Sequence, residues 1–181
     1  MTHTKILVVS DSHRKDDILK EIIRRVKPFQ VLIHLGDAEG SEAGIQQATG
    51  SGVRCYFVQG NNDFFTELPR ELTAVIAGKK CFLAHGHTYG VGLDTRMIAE
   101  EAEIRGCEVA MFGHTHKPYD RVVDGILCLN PGSVSYPRQA DRRPSFLVIE
   151  SDEKGQWLLN ENYVVIKNGE MHFQSGEQTG F

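Results

Sequence analysis

The sequence predicts an α/β fold in which two packed β-sheets carry helices on their outer faces. In the first half, short and almost uninterrupted apolar runs alternate with amphipathic stretches, an order that calls for parallel strands joined by right-handed crossovers. In the second half, strand-like runs are separated by tight-turn residues, the pattern of antiparallel strands. Helical periodicity occurs in both halves, so each sheet has a helix to cover it.

Residues 5–10 form the first strand, apolar on both faces and therefore buried on both. A helix follows over 16–27, with Ile18, Leu19, Ile22, Ile23 and Val26 on one side and Pro28 as its stop. Residues 31–35 are a second buried strand. Glu42 to Thr49 is a short helix closed by Gly50-Ser51-Gly52, and 53–58 is a third strand. Strands at 72–77 and 80–84 flank a two-residue turn at Gly78-Lys79. A helix over 93–104 turns Leu93, Met97, Ile98 and Ala102 inward and ends at Gly106. Strand 109–112 precedes a hairpin of 119–123 and 126–129 around Asp124-Gly125. Antiparallel strands at 145–150, 157–159, 163–166 and 171–173 complete the pattern, with a turn at Asn168-Gly169 and a frayed tail from Ser175. No repeat or linker interrupts the 181 residues, which are expected to form one domain.

A net charge of −4 and a pI near 6.1 argue against a nucleic-acid or anionic-membrane binder, which would present a basic surface. The apolar run near Met1 is too short for a signal peptide and no run approaches a membrane span, so a cytoplasmic location is expected. Cys55, Cys81, Cys107 and Cys128 are far apart and form no C-x-x-C pair, which excludes a zinc knuckle or redox motif and predicts buried, reduced thiols.

The chemistry lies where the apolar runs stop. Asp11-Ser12-His13, Gly36-Asp37, Gly60-Asn61-Asn62-Asp63, His85-Gly86-His87 and Gly113-His114-Thr115-His116 each follow a strand-like run. Parallel sheets gather ligands at the carboxyl ends of their strands. His114 and His116, two residues apart, leave an extended backbone on the same side. Asp11, His13, Asp37, Asn61, His85, His114 and His116 make seven N and O ligands without a thiolate, too many for one tetrahedral zinc. They suit two divalent cations about 3.5 Å apart sharing a carboxylate. Two such cations against two aspartates leave room for an anionic substrate, favouring phosphate esters over neutral peptides.

These motifs, in the order D-x-H, G-D, G-N-x-D, H-G-H and G-H-x-H, resemble the calcineurin-like metallophosphoesterase family. The likeness is strongest to its short bacterial and archaeal phosphodiesterases, which also share Asn130-Pro131-Gly132-Ser133 and Pro144-Ser145-Phe146. The resemblance implies a four-layer α/β/β/α sandwich of two mixed β-sheets flanked by helices. It also implies a first metal on Asp11, His13 and His116, a second on Asn61, His85 and His114, and Asp37 as the bridge. Manganese is the first choice of metal, with Fe, Ni, Co or Zn as alternatives. The expected reaction is hydrolysis of a small phosphodiester by in-line attack of a hydroxide held between the metals. Asn61, His85, His87 and His114 form the catalytic set, His87 either binding phosphate or orienting a ligand histidine.

The sequence departs from the family pattern at Asn62, where many members carry a histidine that helps protonate the leaving group and is oriented by the following aspartate, here Asp63. An amide cannot act as a general acid at neutral pH, so diesters with good leaving groups are the expected substrates. His34 is read as a packed histidine, and Asn130 to Ser133 as a turn near the site. Arg138, Arg142 and Arg143 are open between a phosphate clamp and ordinary solvated side chains, and Lys117 between turning the chain and approaching a substrate anion. Ser10, Ser12 and Ser133 lack a His–Asp partnership, since those residues are taken up as ligands. The competing reading is a non-catalytic scaffold that binds partner proteins, as in the subunit of the retromer sorting complex that shares this fold. Such scaffolds replace several ligands, whereas all seven are present here. Longer phosphomonoesterases of the family fit less well, and a homo-oligomer remains open.

Overall fold

A computed structural model describes residues 3–181. The first sheet combines β1 (Thr4–Val9), β2 (Val31–His34) and β3 (Arg54–Phe57) with three strands from the chain's other end, β9 (Ser145–Ser151), β10 (Trp157–Lys167) and β11 (Glu170–Gly180). Its order is β11-β10-β9-β1-β2-β3, parallel through β1, β2 and β3 and antiparallel from β1 outward through β9. The second sheet has β4 (Glu71–Ile76), β5 (Lys79–Ala84), β6 (Val109–Met111), β8 (Ile126–Pro131) and β7 (Pro118–Val123) in that spatial order. There β5, β6 and β8 run parallel, and β4 and β7 are antiparallel edges.

The two sheets meet across Ile6, Val8, Ile33, Leu83, Met111, Leu129, Ile149 and Trp157. On the outer face of the first sheet, α1 (Asp16–Val26) packs Leu19, Ile22 and Ile23 against Leu7, Val9 and Leu32, with α2 (Glu42–Thr49) beside it. On the outer face of the second, α3 (Arg96–Ile104) places Ile98, Ala99 and Ala102 against Phe82, Ala110 and Cys128. The layers are therefore α/β/β/α, as expected. Residues alternate between faces along each strand, so Ile6 and Val8 enter the inter-sheet core while Leu7 and Val9 meet α1.

Four local expectations are corrected. First, α3 begins at Arg96, because the Asp94 carboxylate takes the Arg96 backbone N–H at 2.9 Å; Leu93 and Met97 lie in solvent, 98% and 58% exposed. Second, the β4–β5 turn falls on Ala77 and Gly78, one residue early, since Ile76 pairs with Lys79. Third, 157–159 and 163–166 are one strand. The polar Asn160-Glu161-Asn162 segment that separated them in the sequence continues the ladder against β9 and contains a register shift opposite β11. Fourth, the tail is not frayed: β11 extends to Gly180, and Phe181 exchanges both backbone hydrogen bonds with Trp157. All four cysteines are free thiols, with Cys55 half-buried and the others buried. No helix among the described residues is long and apolar enough to cross a membrane.

Candidate metal centre

The carboxyl ends of the parallel strands β1, β2 and β3, and of β5 and β6, open onto one cleft. Backbone hydrogen bonds tie four of the five turns in pairs: Asp11 N–H to Gly36 O at 3.0 Å and His13 N–H to Asp37 O at 2.9 Å, and Gly113 N–H to His85 O at 3.0 Å. The crossing is so close that side chains are excluded at two points. A Cβ on Gly60 would sit 2.1 Å from Asp37 Oδ1, and one on Gly113 would sit 2.0 Å from Ser10 Oγ. Five of the seven predicted ligands are also held in the left-handed region: Asp11, His13, Asp37, His114 and His116 have φ between 46° and 66°. Non-glycine residues adopt this conformation at a cost, and such strain gathers where function demands a particular side-chain direction.

The structure brings all seven residues together in two overlapping groups. In one, His116 Nε2 lies 3.0 Å from Asp11 Oδ1 and 3.3 Å from His13 Nε2. In the other, His85 Nε2 lies 3.4 Å from Asp37 Oδ2 and 3.9 Å from Asp11 Oδ1, while Asn61 Oδ1 is 3.1 Å from His85 Nε2 and 2.9 Å from His114 Nδ1. Asp11 belongs to both groups, and Asp37 Oδ2 also reaches to 3.9 Å from His13 Nε2. His85 and His116 direct Nδ1 at the Leu35 and Tyr136 carbonyls, each at 2.6 Å, which orients each ring so that Nε2 faces the cleft. Asp11 Oδ2 accepts Ser10 Oγ–H and His114 N–H, yet the buried Oδ1 has no hydrogen-bond partner. Three histidine Nε2 atoms converge on that buried oxygen, from His116 at 3.0 Å, His13 at 3.7 Å and His85 at 3.9 Å. The residues fit divalent cations, whose positive charge these convergent donors would share.

Residues 4–154 match the calcineurin-like phosphoesterase superfamily domain. The chain belongs to the calcineurin-like phosphoesterase superfamily. Within it, the chain is 31% identical over 150 residues to the probable metallophosphoesterase YsnB of Bacillus subtilis strain 168, spanning 81% of this chain and 85% of that protein. Among solved structures, a predicted phosphoesterase from Streptococcus pneumoniae TIGR4 superposes with a TM-score of 0.75 at 25% identity, covering 97% of this chain and 99% of that one. A single-residue variant of Vps29 from Entamoeba histolytica superposes with a TM-score of 0.79 at 25% identity, covering 98% and 99%.

In this phosphoesterase the electrostatics keep the two aspartates ionised. Burial works to raise the Asp11 carboxyl, but His116 and His85 outweigh it and hold the group below the usual carboxylate range. Asp37 is likewise lowered against the effect of burial, by His85 and by the Asn62 backbone and side-chain N–H groups. His85 is raised because Asp37 and Asp11 overcome its burial, whereas His114 and His87 are lowered by burial and by the charge of His85. The His87 ring is exposed, with its centroid 5.5 Å from that of His85 and 6.1 Å from that of His114.

Around the ligands, His13 Nδ1 bonds Glu39 Oε1 at 2.7 Å, a contact the sequence reading missed because Glu39 is one acid in a polar turn. Asp63, which lacks the histidine partner found in many family members, is bound to three backbone N–H groups. Its Oδ2 accepts Asp37 N–H and Gly60 N–H, each at 2.7 Å, and its Oδ1 accepts Glu39 N–H at 2.6 Å. Asn130 is part of β8 and faces the backbone, donating to Gly113 O at 2.8 Å and Thr115 Oγ1 at 3.0 Å. Ser133 Oγ–H donates to Asp11 O at 2.8 Å. His34 is packed as expected: Nδ1 accepts Gly36 N–H at 3.3 Å and Nε2 donates to Ser12 Oγ at 3.0 Å. The three arginines separate. Arg138 and Arg142 line a cavity with His13 and His116, while Arg143 is bound to Asp141 and Gln174 and stacked over Tyr163.

Proposed function

We propose that this chain is a metal-dependent phosphodiesterase with a binuclear centre. Asp11, His13 and His116 would hold one divalent cation and Asn61, His85 and His114 the other, with Asp37 between the two groups. Manganese is the first candidate, with iron, nickel, cobalt and zinc compatible with the same N/O donors. When bound, the cations supply Lewis-acid activation of water and charge neutralisation for an in-line displacement at phosphorus. The protein's own residues do the positioning. The Nδ1 bonds of His13, His85 and His116 keep their Nε2 atoms aimed into the cleft, and Asp63 and Gly60 hold the Asp37 turn against the Asn61 turn. His87, exposed at the rim with its pKa lowered, offers a neutral N–H to a non-bridging phosphate oxygen. Asn62 is engaged by Asp37 Oδ2 at 2.7 Å and cannot release a proton to a leaving group, which favours diesters of acidic alcohols or phenols.

The observation that carries this reading is the convergence of the His13, His85 and His116 Nε2 atoms on the buried Asp11 Oδ1, within 3.0 to 3.9 Å. Metal-stripped protein should hydrolyse a chromogenic phosphodiester when Mn2+ is restored, faster than the matching monoester, and Asn61→Ala and His114→Ala should abolish turnover. The likeness to Vps29 along nearly the whole chain favours a second reading, a non-catalytic scaffold that binds partner proteins. Folded protein that binds metal but turns over no ester with any of the five metals would select it.

A further inference from the structure

We infer that the substrate carries a second anionic group beyond the scissile phosphodiester, and that Arg138 and Arg142 hold it. This rests on the phosphodiesterase reading and specifies which diesters it concerns. A cavity of about 600 Å³ opens beside the metal centre, walled by His13 and His116 and by the segment from Ser135 to Arg142. Arg138 and Arg142 line it, both exposed, and neither side chain has an ion-pair, hydrogen-bond or ring partner among the described residues. Its one carboxylate, Glu39, is already bound to His13. Two free guanidinium groups thus face a space that needs an anion, and a guanidinium fork matches phosphate oxygens in geometry and charge.

The backbone of the segment that carries the arginines is fastened at both ends. At one end Ser133 Oγ accepts Tyr136 N–H at 2.8 Å, Tyr136 O accepts His116 Nδ1–H, and Arg138 N–H returns to His116 O at 3.0 Å. At the other, Arg143 grips Asp141 and Gln174. Across Arg138 a second cavity of about 570 Å³ begins at His114, with Phe112 and Tyr119 in its wall and Asp94, Lys117 and Arg138 lining it as well. Arg138 stands between the two cavities, and only the cleft past His13 has both arginines in its lining.

Two nitrophenyl phosphodiesters of thymidine test this, one with its remaining sugar hydroxyl free and the other with that hydroxyl phosphorylated. The Mn2+-loaded enzyme should favour the phosphorylated probe in kcat/KM by about tenfold or more, chiefly through KM. In the Arg138→Ala/Arg142→Ala variant the ratio should fall to near one. Calorimetry on metal-free protein should give tighter binding of thymidine bisphosphate than of thymidine monophosphate, a difference that the double variant loses. A wild-type ratio near one would overturn the inference, as would equal losses on both probes, which would place the arginines on the scissile phosphate instead. Hydrolysis of neither probe, with arginine-dependent bisphosphate binding intact, would sink the phosphodiesterase reading and leave the anion cleft standing.

Discussion

His13 and His116 face each other through Nε2 at 3.3 Å, while Glu39 and the Tyr136 carbonyl occupy their Nδ1 atoms. Two imidazole nitrogens at that distance, with Asp11 Oδ1 beside them, form a ready-made set of donors for a cation. Metal binding should therefore stabilise the fold. At a metal concentration about a hundred times Kd, one site contributes about 2.7 kcal/mol, or about 5 to 10 °C in Tm for a chain of this size. Thermal melts of chelated protein with and without Mn2+ measure this, and His116→Ala should remove the shift from the first site. No shift with any divalent transition metal would refute the two-cation arrangement.

Glu39 should matter for metal affinity without touching the metal. Its carboxylate polarises His13 through Nδ1 and fixes the ring's direction. Removing such a partner typically weakens a site about tenfold to a hundredfold. Glu39→Gln, titrated with Mn2+ by calorimetry, should show that loss in one of two binding events, because the Asn61, His85 and His114 group does not contact it.

Asp63 should be a stability residue. It is 1% exposed and accepts three backbone N–H groups from the turns that carry Asp37 and Asn61. Asp63→Ala strands those donors, at a cost of about 3 kcal/mol or more. Urea unfolding of metal-free protein reads the change directly, and an unchanged midpoint would remove the clamp from the account.

Asn62 should set the leaving-group range. With an amide there, kcat on a series of aryl phosphodiesters should fall steeply as the phenol's pKa rises, since no side chain shares the proton transfer. Asn62→His should flatten that dependence, gaining most on the poorest leaving group. A shallow dependence in the unaltered protein would mean that another residue supplies the proton.

The seven residues of the candidate centre were legible because they follow apolar runs, and in a parallel sheet the ends of such runs converge. What surrounds them was not. Glu39 acts on a histidine brought near by the crossing of separate turns, and nothing in its own sequence neighbourhood distinguishes it from a solvated acid; Asp63 stands in a motif, but its three backbone partners come from that same crossing. The same limit explains the fold's misreadings. Leu93 and Met97 keep helical spacing with Ile98, but Asp94 starts α3 beyond Leu93, and the packed face is set by Ile98, Ala99 and Ala102. The tail reads as polar and frayed, yet edge pairing with β10 uses backbone groups that side-chain pattern does not report. Arg138, Arg142 and Arg143 look alike in sequence, and only the positions of Asp141, Gln174 and Tyr163 separate the third from the other two.

His34 should make stability depend on pH. It is 1% exposed, and burial outweighs the nearby Asp11 and Asp63 carboxylates to lower its pKa from 6.5 to about 4. The unfolded chain then takes up a proton on this side chain at a higher pH than the folded chain does. Between those two values the unfolded state binds more protons, so stability rises with pH there; it is fully present above about 6.5 and lost as pH falls toward 4. A difference of that size corresponds to about 3 kcal/mol. His34→Gln retains a donor for Ser12 and an acceptor for Gly36 N–H but does not titrate. Urea unfolding of both proteins across this range should show the gap between them shifting in favour of the variant as pH falls, on top of any constant packing cost. A gap that stays constant would mean that His34 is protonated inside the fold, leaving Gly36 N–H without its acceptor.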